Sequence, residues 1–272
     1  VEMKKLTVFC AAACLAASAA AQNHPDLHEV LDRQKGRNLI EIPKGTYTLD
    51  VRNNGPYKFH NLTDVHINGN GSTVICNNQE QAFSFYNCVR VELRDLTIDY
   101  DPLCFTQGEI TAVAEDGSWF DVRIDEGYPV TGLAANRVQF YDPQTRLLKR
   151  NSITTYTSNY SALKQLGHNL FRAVKNGTWS AGEQVGDLVV MDVKTDKPNA
   201  GVHTVMLNKC YNTKLENVTV YGSNTFSFFE KEGYANEYRN CVVDRGPMPQ
   251  SIRPRLRSGN ADGIHSSQAR KG

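Results

Sequence analysis

The sequence predicts an all-β chain: a parallel β-helix, or solenoid, interrupted by an inserted small β-barrel-like domain. Three observations predict it. A weak repeat recurs at residues 59–69, 85–100 and 207–222, with a partial copy from Tyr238. Within the copies, apolar and polar residues alternate, as in Val89-Arg-Val-Glu-Leu, which is the pattern of short strands with one buried face. Asn, Asp and Gly between these runs supply turns. Aligning Leu62 with Cys88, Cys210 and Cys241 gives separations of 26, 122 and 31 residues. The first and last suit one coil of a stacked-strand repeat, and the second requires an insertion. On this alignment the three cysteines share one coil position and pack in the core as inert thiols.

The elements follow in order. Residues 1–21 read as a signal peptide: Lys4 and Lys5 form the basic region, an Ala-rich apolar stretch follows, and Ala19-Ala20-Ala21 is a small-residue cleavage site. The predicted destination is the periplasm or the extracellular space. The stretch is too short and too weakly apolar for a retained membrane span. Lipoprotein anchoring through Cys14 ranks below simple export, because Ala11-Ala12-Ala13 just ahead of it lack the bulky aliphatic residue of a lipoprotein signal. Residues 22–105 hold an N-terminal cap, with a short amphipathic helix within 26–34, and the first solenoid coils. Residues 106–195 read as the insertion, with strand-like runs at Glu109, Trp119, Asn136 and Leu188 separated by Asp116-Gly, Glu126-Gly and Asp142-Pro turns. Residues 196–272 return to the solenoid, and the small number of coils suggests a truncated one.

Composition removes several function classes. The 272 residues carry 30 Lys and Arg against 29 Asp and Glu, a net charge of +1. No basic excess is available to neutralise a phosphate backbone, so nucleic acid is not expected as a partner. The five cysteines beyond the signal lack zinc spacing, and His60, His66, His168 and His203 are isolated, without H-x-H or H-x3-H spacing. Neither a metal nor another cofactor is predicted.

A solenoid offers grooves along a sheet, which suit polymers, and glycans are the expected partner on fold analogy. Hydrolysis of a glycosidic bond needs two carboxylates flanking it. Candidates are Asp99 and Asp101, Glu230 and Glu232, and Asp262. Asp262 is the strongest, in the polar segment Ser258-Gly-Asn-Ala-Asp-Gly-Ile-His. Ideal strand alternation puts Asn260 on its face and His265 on the other, and a turn would bring His265 to the same side. The competing reading is an Asx turn closing a coil. Glu230 follows the apolar run Phe226-Ser-Phe-Phe, where a strand-end carboxylate is the plain expectation. Arg253, Arg255 and Arg257 alternate just ahead of Asp262, either as donors to sugar hydroxyls or as a solvated loop.

Taken together, Ile40-Glu-Ile-Pro-Lys-Gly-Thr-Tyr, Leu96-Thr-Ile-Asp-Tyr-Asp-Pro, Phe105-Thr-Gln-Gly-Glu-Ile, the barrel-like insertion and Arg257-Ser-Gly-Asn-Ala-Asp-Gly-Ile-His resemble exported right-handed parallel β-helix proteins of Bacteroidota. Among these the sequence is most similar to the α-1,3-galactosidases of glycoside hydrolase family 110. The resemblance implies inverting removal of terminal galactose without a cofactor. It places Asp262 as the first acidic residue of the active site; Arg257, Asn260, His265 and Glu230 are the candidate substrate contacts beside it. It assigns a water-activating Asp-Asp pair and an acid glutamate to later coils. No Asp-Asp pair occurs in this sequence, so it is expected to be the N-terminal portion of a longer enzyme. The alternatives are another β-helix glycosidase, a polysaccharide lyase supported by the arginines, and a non-catalytic glycan-binding solenoid.

Overall fold

The structure is a computed structural model, and it describes residues 24–193, 203–223, 225–257 and 262–268. The expected signal peptide lies outside the described residues. The chain opens with helix α1 (Leu27–Asp32), started by the Asp26 carboxylate, which accepts from the backbone N–H of His28. Leu27 and Leu31, one turn apart, are its buried face. Strands β1 (Leu39–Glu41) and β2 (Thr46–Leu49), the single-turn helix α2 (Val51–Asn54), β3 (Tyr57–His60), β4 (Thr63–Cys76), β5 (Phe83–Tyr86) and β6 (Val89–Tyr100) follow. Next come β7 (Phe105–Val113), β8 (Trp119–Ile124), β9 (Leu133–Tyr141), β10 (Thr155–Tyr156), β11 (Tyr160–Gln165), β12 (Leu170–Lys175) and β13 (Leu188–Val193). The last are β14 (Val205–Asn208), β15 (Lys214–Tyr221), β16 (Phe228–Lys231), β17 (Glu237–Arg239), β18 (Val242–Asp244) and β19 (Ile264–Ser267).

The fold is all-β. Outside β7–β13 the chain shuttles between two parallel sheets. The first runs β1-β4-β6-β15-β17, with β2 and β18 at the ends of long strands, and the second runs β3-β5-β14-β16-β19. Register stacks like on like. In the first sheet Ile40, Ile67, Leu93, Leu215 and Tyr238 form one column. In the second, Tyr57, Phe83, Val205 and Phe228 form another, and Phe59 lies flat against Phe85 at 4.7 Å. Burying each such side chain contributes about 1.5–3 kcal/mol, so the columns stabilise parallel pairing that no hairpin could supply. Asn61 and Asn87 turn the chain from the second sheet to the first in the left-handed conformation, and the Asn87 side-chain amide donates to Asn61 at 2.8 Å.

Leu62, Cys88 and Cys210 do share a column, since Thr63 pairs Val89 and Val89 pairs Tyr211 one residue on. Cys241 does not belong to it. Tyr211 pairs Tyr234, so Gly233 takes that position, while the Thr219–Val242 pairing stacks Cys241 on Val218 and Leu96. The coil is shorter here, at 23 residues from Val205 to Phe228, and the apparent period of 31 joined two different corners.

Strands β7–β13 form a separate antiparallel sheet, ordered β10-β9-β13-β7-β8-β12-β11 and nearly closed into a barrel. It has its own core, with Phe120, Phe140, Val122 and Val189 fully buried. A buried Lys175–Glu183 ion pair, with Lys175 Nζ also donating to the Trp179 carbonyl at 2.8 Å, closes one of its loops. Among the described residues, no helix is long and apolar enough to cross a membrane.

Candidate functional site

Strands β16 and β19 are parallel neighbours with Phe228 opposite Ile264 and Phe229 opposite His265. Because Phe228 and Glu230 point into the core, strand alternation sends Phe229 and His265 outward. The two residues ahead of each strand complete the surface. Thr204 N–H donates to Phe226 O at 3.0 Å and Ser227 N–H to Asp262 O at 3.3 Å, which sets His203, Phe226 and Asp262 side by side. The His265 imidazole lies parallel to the Phe226 ring at 4.2 Å and 2°, and His203 lies on Phe226 at 4.8 Å and 10°. Phe229 adjoins His203 at 4.3 Å. The result is an outward ladder of stacked rings, His203, Phe226 and His265, with Phe229 beside it.

Asp262 sits at its edge. Its Oδ2 lies 2.8 Å from His265 Nδ1, so Gly263 provides the turn that ideal alternation lacked. With Nδ1–H donating to the carboxylate, the imidazole is held in one tautomer and turns Nε2 away from Asp262. Both side chains are open, Asp262 at 59% and His265 at 40% of full exposure. On the far side, His203 Nδ1 and Thr225 Oγ1 are 2.8 Å apart. Burial, reinforced by the charge of His265, pushes the His203 imidazole pKa below the ordinary histidine value. This arrangement can set the C–H groups of a sugar ring against aromatic ring edges while a carboxylate and an imidazole meet its hydroxyls or glycosidic oxygen.

The other predicted site residues lie elsewhere, and Asn260 lies outside the described residues. Glu230 is on the opposite face of β16, buried, where it accepts from Asn236 Nδ2 at 2.8 Å. Burial, with the Glu230 charge nearby, pushes the Tyr238 hydroxyl far above its usual pKa. Arg257 is buried too, donating to Asp192 Oδ1 at 2.7 Å and resting over the Phe105 ring at 5.0 Å.

Arg257 ends a strap, residues 245–257, that crosses the inserted sheet. Its presence explains why 36 residues separate Phe228 from Ile264. Arg253 pairs with Asp125 at 3.0 Å, and Arg255 makes two bonds to Asp99 at 2.8 and 2.9 Å. Buried Gln107 reads the strap backbone in both directions, donating to Pro254 O at 3.0 Å and accepting from Leu256 N–H at 2.9 Å. Leu256 plugs the barrel core. The alternation of arginines is therefore a set of anchors, neither a solvated loop nor an open basic patch.

Sequence reasoning missed Phe226, Phe229, His203 and Thr225. Phe226 was visible only as part of an apolar run, and His203 as an isolated histidine. Knowing the 23-residue coil that pairs Val205 with Phe228 would have aligned them. Among the described residues, no group of three or more His, Cys, Asp or Glu side chains is placed to hold a metal ion. No protein-family model matches the sequence, and no curated protein matches it significantly.

Proposed function

We propose that the chain belongs to an exported glycoside hydrolase that removes terminal galactose from glycans, an α-1,3-galactosidase acting with inversion on a right-handed parallel β-helix. The observation that carries this reading is the Asp262–His265 pair at the edge of the Phe226, Phe229 and His203 face. Galactose has an apolar C–H face for the aromatic rings and hydroxyls for the polar pair. Asp262 works with the carboxylates that the family resemblance assigns to later coils, and His265 orients it while contacting the sugar. The near balance of charge suits an uncharged ligand. Arg253, Arg255 and Arg257 are engaged with Asp125, Asp99 and Asp192, which weighs against the lyase alternative, since an anionic polymer needs open cations. A non-catalytic glycan-binding role is the second reading, because the aromatic face would serve it unaided.

The test is Asp262→Asn in the full-length protein. Hydrolysis of a terminal α-1,3-galactoside should fall by at least about 100-fold, the scale of a lost acid–base group. The melting temperature should barely move, since the side chain is largely exposed. Retained activity with a large loss of stability would mean that Asp262 only shapes the turn. Retention on immobilised glycan without product release from the parent protein would favour the binding role.

A further inference from the structure

A second feature lies beyond the dyad, at the corner where the chain leaves β16 and β19. Here a cleft of about 630 Å³ is lined by Tyr211, Glu232, Gly233, Tyr234 and Gln268. Tyr211 and Tyr234 pair one above the other on successive coils, and each keeps more than a third of its surface open, 39% and 38%. Gly233, between them in the chain direction, continues the inward-facing column of Cys88 and Cys210, where a Cβ would meet the side-chain ends of Glu230 and Asn236. Both carboxylate oxygens of Glu232 are flanked by ammonium groups, Lys209 and Lys231, each at 3.8 Å. The wall therefore offers hydrogen-bonding groups with its acidic charge compensated.

We propose that this tyrosine cleft is a distal subsite for a neutral oligosaccharide, holding sugar rings that precede the terminal residue bound at the dyad. The inference rests on the reading above for the identity of the terminal sugar. Its own support is independent of that reading. Two half-open tyrosines and a charge-compensated carboxylate beside an amide are a combination that takes rings with apolar C–H faces and hydroxyl edges. The position fits as well. Gln268 follows His265 by three residues, about 10 Å at roughly 3.3 Å per residue, a reach of about two sugar rings. Ser267 and Lys231, register partners at the ends of β19 and β16, lie between the two places. A chain bound from dyad to cleft would follow the strand direction.

Calorimetric titration of the full-length protein carrying Asp262→Asn, so that nothing is consumed, tests this. The probes are α-1,3-galactobiose, a neutral tetrasaccharide ending in that disaccharide, cellotetraose and tetragalacturonate. The tetrasaccharide should bind at least tenfold more tightly than galactobiose. Tyr211→Ala with Tyr234→Ala should abolish that advantage and leave galactobiose affinity unchanged, while the paired Tyr→Phe variant keeps it. If the alanine pair does not fold, the parent protein suffices: tyrosine ring resonances must shift on adding the tetrasaccharide. An advantage that survives the alanine pair, equal affinities in the parent, unmoved tyrosine signals or preference for tetragalacturonate would each overturn the subsite. Galactosides hydrolysed by the unsubstituted protein with no tyrosine effect would sink the cleft alone. Tyrosine-dependent binding of cellotetraose with no binding of galactosides would sink the galactosidase reading and keep the cleft. Binding of no probe overturns both.

Discussion

His203 is a histidine whose surroundings work against its charge. Burial against Phe226 and Phe229, and then the neighbouring His265, lower its pKa. Its contribution to stability is therefore present above the unfolded value of about 6.5 and is lost as pH falls through the lower folded value. Histidine NMR titration should show His203 protonating below the range of an exposed imidazole, with the stacking face loosening as it does so. A His203 midpoint at or above that range would contradict the packing. At this scale the sequence was partly legible. Asp262 and His265 could be chosen from residue type and Gly-rich context, whereas Phe226 and His203 could not, because their pairing depends on which residues stand in register across coils.

The strap illustrates what happens between elements. Three arginines at alternate positions resemble an open basic patch until their partners are known, and those partners lie 65 to 156 residues away. Arg255 and Asp99 are both largely buried. Removing one charge of such a pair leaves the other uncompensated, at a cost of about 3–5 kcal/mol. Arg255→Met should lower unfolding free energy by that amount in urea titrations. The double variant Asp99→Leu, Arg255→Met should cost less than the single one, since no lone charge remains buried. Equal costs would show that the pair is not coupled. Leu256→Ala should cost about 2–5 kcal/mol by opening a cavity in the barrel core, and a loss below about 1 kcal/mol would mean that the strap is not docked there. Asp125 adds a pH signature here, because burial raises its carboxyl pKa although Arg253 stands beside it.

Across the whole molecule, alternation and turn residues were enough to separate stacked parallel strands from an antiparallel unit, since each pattern follows from local backbone geometry. Coil length was not legible. It varies from 27 residues between Leu39 and His66 to 23 between Val205 and Phe228, and the strap stretches the last to 36. That variation misassigned Cys241 and hid the aromatic face. The same architecture ties the proposed site to the barrel, because the chain passes from the anchored Arg257 to Asp262 within five residues. Hydrolysis of a terminal galactoside at this face is the proposed activity. The most direct measurement is proton NMR of the sugar released by the full-length protein from a terminal α-1,3-galactoside. β-Galactose is expected as the first product, and none from the Asp262→Asn variant. First release of α-galactose, or undiminished release by that variant, would contradict it.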